Sequence, residues 1–210
     1  MKRKLEKLYM AFIIFLLYAP IFTLIVLSFN SSRTRAKWGG FTLQWYQALF
    51  ANEDIMNALY TTLVIALLSA IIATVLGTAA SVGITSMKPR AKTVFMGVTN
   101  IPMLNGEIVM GISLMLLFII GRIELGFGTI LLAHITFNLP YVILSVMPKM
   151  KQTSRATYEA ALDLGASPMY AFWKITFPDI MPGVISGFLL AFTMSLDDFV
   201  ITYFTKEVGS

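Results

Sequence analysis

The chain has 210 residues, 57% of them hydrophobic and 13% charged, with a formal net charge of +5. An ordinary soluble domain carries about 25% charged residues, so this composition excludes a typical cytosolic enzyme, and the apolar excess excludes intrinsic disorder. Zero cysteines and a single histidine exclude disulfides, thiolate zinc, cysteine nucleophiles and multi-histidine metal centres, so no metal site is expected.

What remains is an all-α integral membrane protein. About 20 apolar residues cross a bilayer as helix, so the intervals between charges measure the spans. Leu8 to Ser32 and Ile55 to Met87 carry no charged side chain, and Thr93 to Gly121 carries only Glu107. Leu125 to Pro148 is uncharged again, and the last apolar interval runs from Ile180 past Asp197 and Asp198 to Thr205. These intervals predict five spans, about 8–29, 57–87, 93–120, 126–147 and 180–204, in one transmembrane domain over 1–210. The first apolar run is too long for a signal peptide and lacks a small-residue cleavage site, so it is read as an anchor.

Lys and Arg set the orientation. The N-terminal tail, the 88–92 loop and the segment between spans four and five together hold eleven basic residues. The opposite side holds five: Arg33, Arg35, Lys37, Arg122 and Lys206. The richer side is expected to be cytoplasmic, which places the N-terminus inside.

The cytoplasmic loop, about 148–179, is richer than a connector requires. Thr157 to Gly165 reads as a short helix, capped at Ser154 or Thr157 and ended by a glycine suited to left-handed backbone. Ser167-Pro168 starts a second helix, with Met169, Phe172, Trp173 and Ile175 as its apolar stripe. Pro178 and Pro182 bracket the start of the fifth span.

Glu159-Ala160-Ala161, three residues, Gly165, nine residues, Ile175, two residues and Pro178 resembles the signature loop of permease subunits of binding-protein-dependent ABC importers. Phe177 stands where that family prefers Leu. The resemblance implies a type I ABC importer permease bundle, five transmembrane helices here where the family typically has six, plus a cytoplasmic coupling helix. It implies that the loop seats in a separate ATPase subunit. There Glu159 would make the polar contact, Ala160 and Ala161 allow close approach, and Gly165 make the bend. The chain has no Walker lysine loop. It is therefore expected not to be an enzyme and to bind no cofactor, with ATP used by the partner subunit. Expected partners are two copies of that ABC ATPase, a second similar permease subunit, an external (periplasmic) substrate-binding protein and the lipid bilayer of a bacterial inner membrane, but no nucleic acid.

Charged groups inside spans are costly and usually face a pathway or a partner. Glu107 lies about 14 residues into the third span, ~21 Å from its inner end at ~1.5 Å per residue. Asp197 and Asp198 lie in the outer half of the fifth, about 100° apart on one helix. No Lys or Arg shares their depth, so the candidate path favours a cationic solute, with Tyr203 as an aromatic contributor. The alternative for Glu107 is to cap a helix broken after Pro102, Asn105 and Gly106, and for the aspartates to lie at the membrane surface. The stretch Ser195-Leu-Asp-Asp-Phe-Val-Ile201, with Tyr18-Ala19-Pro20 and Phe29-Asn30, resembles the spermidine/putrescine permeases of that family. This resemblance implies polyamine import. The alternatives are import of another small solute by the same machinery, or ion-coupled secondary transport. His134 is expected to make an interhelical hydrogen bond, and Gly183-x-x-x-Gly187 to allow close helix packing. The chain stops in what reads as the loop after span five, so a truncated product is expected.

Overall fold

The computed structural model describes residues 2–34 and 37–206, with the side chains of 2–5 and 155 outside the description. The described residues are helical, apart from loops and one isolated bridge between Asn30 and Phe41. They fall into two compact units, Met1–Tyr60 and Thr61–Ser210.

The first unit holds α1 (Lys2–Ser28), α2 (Gln44–Ala51) and the start of α3 (Glu53–Ser86). Its loop is organised by Asn30, which is 2% exposed. The Asn30 amide donates to the Lys37 carbonyl at 2.9 Å, and its Oδ1 accepts from the backbone of Gly39 at 2.7 Å and Ser32 at 3.2 Å. The Trp45 indole donates to the Asn30 carbonyl at 2.8 Å, so the side chain and backbone of one residue fix the whole turn. Phe29 stacks on Phe41 at 5.3 Å. The apolar side chains of α1 are exposed throughout its described length, as a lipid-facing helix requires.

The second unit holds the rest of α3, then α4 (Pro89–Leu104), α5 (Glu107–Ile120) and α6 (Phe127–Gln152). After these come α7 (Arg155–Asp163), α8 (Pro168–Ala171), a π turn (Phe172–Thr176), α9 (Phe177–Asp197) and α10 (Phe199–Thr205). Its core is a seam of small residues. Gly77 of α3 and Gly187 of α9 both face Val142 of α6, which is fully buried. A Cβ on Gly77 would lie 2.6 Å from the Val142 side chain, and one on Gly183 would lie 2.9 Å from the Ser145 carbonyl. Without a hydrophobic drive between helices in lipid, such backbone approach is how they gain contact. The glycine pair of α9 therefore packs as the sequence predicts.

Among the described residues, four helices are long and apolar enough to cross a membrane: Glu6–Ser28, Glu53–Ser86, Phe127–Gln152 and Pro168–Asp197. A fifth crossing requires α4 and α5 to count as one. The interval 93–120, expected as a single span, is two helices bent by 107°. Asn105 and Gly106 are both extended, with ψ of 144° and 148°, and they end α4 shortly after Pro102. The ~21 Å depth expected for Glu107 assumed one straight axis, and the bend removes that assumption.

The interval 180–204 also differs from a single helix. It begins earlier, because α8 runs through the π turn into α9, and it breaks at Asp198. Pro178 has no N–H to return to the Lys174 carbonyl, and Phe177 donates to Phe172, five residues back. The second loop helix and the span are thus one continuous rod.

Candidate functional site

Two regions hold the candidate residues, one at each end of α8–α9. At the first, α7 ends in a Schellman turn. Gly165 adopts φ +89°, its N–H reaches Leu162 O at 2.9 Å, and Ala166 N–H reaches Ala161 O at 3.0 Å. A side chain at 165 would be strained in this conformation, so glycine makes the bend the sequence called for. Ser167 caps α8 by accepting from Tyr170 N–H at 3.3 Å, with Pro168 in the first turn. Ser154 occupies the N-cap of α7 without a side-chain capping bond.

Glu159 and Ala160 are exposed on α7, Ala161 is half-buried, Ile175 is half-buried in the π turn, and Pro178 is exposed at the start of α9. Glu159 also lines an open cavity of about 740 Å³ with Lys92, Lys151, Tyr158 and Phe172. Around it Leu164 is 89% exposed and Met169 67% exposed, and Trp173 packs on Phe177 at 4.6 Å between ring centres. The segment therefore presents one carboxylate, small side chains and uncovered apolar groups together.

At the other end, Asp198 is both the last cap of α9 and the first cap of α10. Its Oδ1 accepts from Ile201 N–H at 2.8 Å, and its backbone turns to φ −80°, ψ 91°, which ends the helix. The premise of two aspartates 100° apart on one helix does not hold, because the helix breaks between them and their neighbours. Asp197 is exposed and Asp198 is half-buried. Glu107 begins α5, where a carboxylate is favoured by the exposed N–H groups and helix dipole, and it is exposed. Glu107 and Asp197 both lie within electrostatic reach of Asp198, so the acid that opens α5 comes into one corner with the two adjacent aspartates at the end of α9. α5 packs on α10 to make it, with Gly111 against Phe204 and the Val200 carbonyl. Tyr203 is exposed on α10, where its ring meets Phe199 at 5.8 Å and Phe204 at 5.4 Å.

The structure adds residues that the sequence reading did not assign to this corner. His134 of α6 is 2% exposed. Its Nδ1 lies 2.6 Å from Ser195 Oγ on α9, and its Nε2 lies 3.0 Å from Thr202 Oγ1 on α10. The expected interhelical bond is therefore two bonds, one on each side of the Asp198 break. Ser195 in turn meets Ser69 of α3 at 3.1 Å. Ser195 and Thr202 flank Asp198 at positions −3 and +4, a spacing visible in the sequence, but nothing there pairs them with residue 134. Tyr141 stands within electrostatic reach of Glu107 and Asp198. Among the described residues, Thr74, Thr78, Asn100, Asn138 and Asp198 carry buried side-chain polar atoms with no hydrogen-bond partner, and in Asp198 the atom is Oδ2.

Comparison with known proteins gives this arrangement its context. Residues 73–209 match the family described as binding-protein-dependent transport system inner membrane component. The chain is 42% identical to the spermidine/putrescine transport system permease protein PotC of Escherichia coli, over 90% of this chain and 71% of that protein. It is 39% identical to PotC of Haemophilus influenzae, over 92% of this chain and 75% of the relative. It is 40% identical to the putrescine transport system permease protein PotI of Escherichia coli, over 92% and 72% respectively. These relatives are transport permeases and not enzymes. With a family match over most of the chain and an all-helical membrane bundle to carry it, the chain belongs to the binding-protein-dependent transport system inner membrane component family.

Proposed function

We propose that this chain is the membrane-spanning permease subunit of an ATP-driven importer that moves polyamines such as spermidine and putrescine into the cytoplasm. The observation that carries this reading is 39–42% identity over nine-tenths of the chain to permeases named for those two solutes. A corner of three acids, Glu107, Asp197 and Asp198, suits a solute that carries two to four positive charges at neutral pH.

In this reading the exposed Glu159, Ala160 and Gly165 and the half-buried Ala161 of the α7 turn seat in a separate ATPase, with Ile175 and Pro178 fixing that turn to α9. ATP is bound and hydrolysed by two ATPase copies, and this chain binds no cofactor. A second, similar permease completes the pathway and an external binding protein delivers the solute. The N-terminus lies in the cytoplasm, as the eleven-to-five distribution of basic residues favours. Because α8, the π turn and α9 form one rod, displacement of the loop by nucleotide closure would move the far end of α9 with it. Switching between inward- and outward-open states is then a population shift driven by different ATPase contacts.

The test is uptake of labelled spermidine by cells that lack their own permease of this type but keep the binding protein, ATPase and partner permease. Expression of this chain is expected to restore uptake, and Glu159→Lys to abolish it. Uptake that survives ATP depletion with the proton gradient intact would mean an ion-coupled carrier instead. No spermidine or putrescine uptake from a chain shown to reach the membrane and retain its ATPase would mean a different solute.

A further inference from the structure

We infer that His134 is a positioning residue for Asp198: it staples the α9–α10 break so that one carboxylate oxygen, buried without a hydrogen-bond partner among the described residues, is kept for a cation that enters when the path opens. The inference rests on the proposed polyamine pathway and adds the element that shapes it.

Thr202 Oγ1 lies 2.9 Å from the Asp198 carbonyl, which can only accept, so the single hydroxyl proton of Thr202 is committed there. The Nε2 of His134, 3.0 Å from the same Oγ1, must then be the donor. The ring is neutral in this arrangement and its Nδ1 is an acceptor, which takes the Ser195 hydroxyl proton at 2.6 Å. Ser69 Oγ lies 3.1 Å from Ser195 Oγ and 3.2 Å from the Ala66 carbonyl, so its single proton is shared between those two acceptors. The bonds run one way, from Ser195 to His134 to Thr202 to the Asp198 backbone, and such a chain polarises each of its members. With Ser69 it ties α3, α6, α9 and α10 together at one point.

The consequence falls on Asp198. Its carbonyl receives Thr202 and its Oδ1 receives Ile201 N–H, but its Oδ2 is buried without a hydrogen-bond partner among the described residues. A carboxylate oxygen kept from both water and donors is costly, and a passing ammonium is the group that would satisfy it. The local cap from Ile201 N–H to Asp198 Oδ1 favours the break, but a single cap competes with an apolar sequence that can stay helical. The apolar run from Phe199 to Thr205 would extend α9 as a continuous helix, and Asp198 would then rejoin that helix. The imidazole prevents this by gripping both sides of the break at once.

The test uses the assembled importer in proteoliposomes, with spermidine-loaded binding protein, and reads spermidine delivered per ATP hydrolysed beside the ATPase rate. Thr202→Val keeps the shape and removes the hydroxyl, and is expected to lower the ratio roughly tenfold with the ATPase rate retained. Thr202→Ser is expected to restore it. His134→Asn reaches only the Ser195 side and should behave like Thr202→Val, whereas His134→Gln reaches Thr202 and should stay near the parent. Adding Thr202→Val to Asp198→Asn should lower the ratio no further, because both act on one group. A parental ratio in Thr202→Val, while Asp198→Asn is impaired, overturns this inference and leaves the pathway reading standing. A parental ratio in Asp198→Asn overturns both. Equal losses of ratio, ATPase rate and membrane abundance in all four His134 and Thr202 variants would reduce the staple to packing and overturn the inference.

Discussion

The two ends of the α8–α9 rod are built on opposite rules. At the α8 end the helix continues past a proline through a π turn, in which the Phe177 N–H donates to the Phe172 carbonyl five residues back. At the Asp198 end the helix stops in a stretch apolar enough to continue, because a carboxylate and a histidine hold it broken. Continuity suits an end that must transmit displacement from another subunit. A break suits an end that must present a polar group inside a membrane, where only backbone satisfied by protein partners is tolerated. Between them lies the glycine seam, where the backbone of the rod approaches Val142 and Ser145 of α6 and Gly77 of α3 approaches the same Val142. Helix propensity by itself would have predicted the reverse at both ends.

The largest effect should come from breaking the transmitting end. Glu159→Lys puts a positive charge where docking is expected and should lower ATP-driven spermidine uptake by more than roughly tenfold. Co-purification of the ATPase with the variant would check that docking is what fails. At the presenting end, Asp198→Asn should cut spermidine delivered per ATP by roughly tenfold while ATPase stimulation persists, since charge is lost and shape is kept. That pair sharpens the comparison: one end should uncouple by losing its partner, the other by losing its solute.

The seam gives smaller effects. Gly77→Ala forces a Cβ to within 2.6 Å of Val142. Overpacking of that kind costs about 1–3 kcal/mol and should appear as a lower unfolding temperature of the purified chain in detergent. Val142→Ala in the same chain should recover part of the loss, since it removes the methyl groups in the way. Gly83, with no atom within 4 Å of its would-be Cβ, is the contrast. Gly83→Ala should leave transport alone and stabilise the helix by up to about 1 kcal/mol, seen as a raised unfolding temperature.

Local features were legible wherever physics acts over a few residues. Gly165 was expected to turn left-handed and does so at φ +89°. Ser167 and Pro168 were expected to start a helix, and they do. The break before Glu107 was readable from Pro102, Asn105 and Gly106 as one of two options, but its 107° magnitude was not. The break at Asp198 was missed, because an acid inside an apolar run looks the same from the sequence whether it rides a helix or ends one.

Composition and charge spacing determined, without any coordinates, that this is a helical membrane protein, with five crossings expected, and the loop from Glu159 to Pro178 determined its family. Those properties depend on hydrophobicity and on residues near one another along the chain. The acidic corner was decided only by the tertiary structure. It requires Glu107 to meet Asp198, and His134 to bridge positions 61 and 68 residues away, on either side of a break. Such pairings have no local signal. A buried hydrogen bond forms between whichever groups the packed helices bring within reach, and here close packing at glycine decided which groups those are.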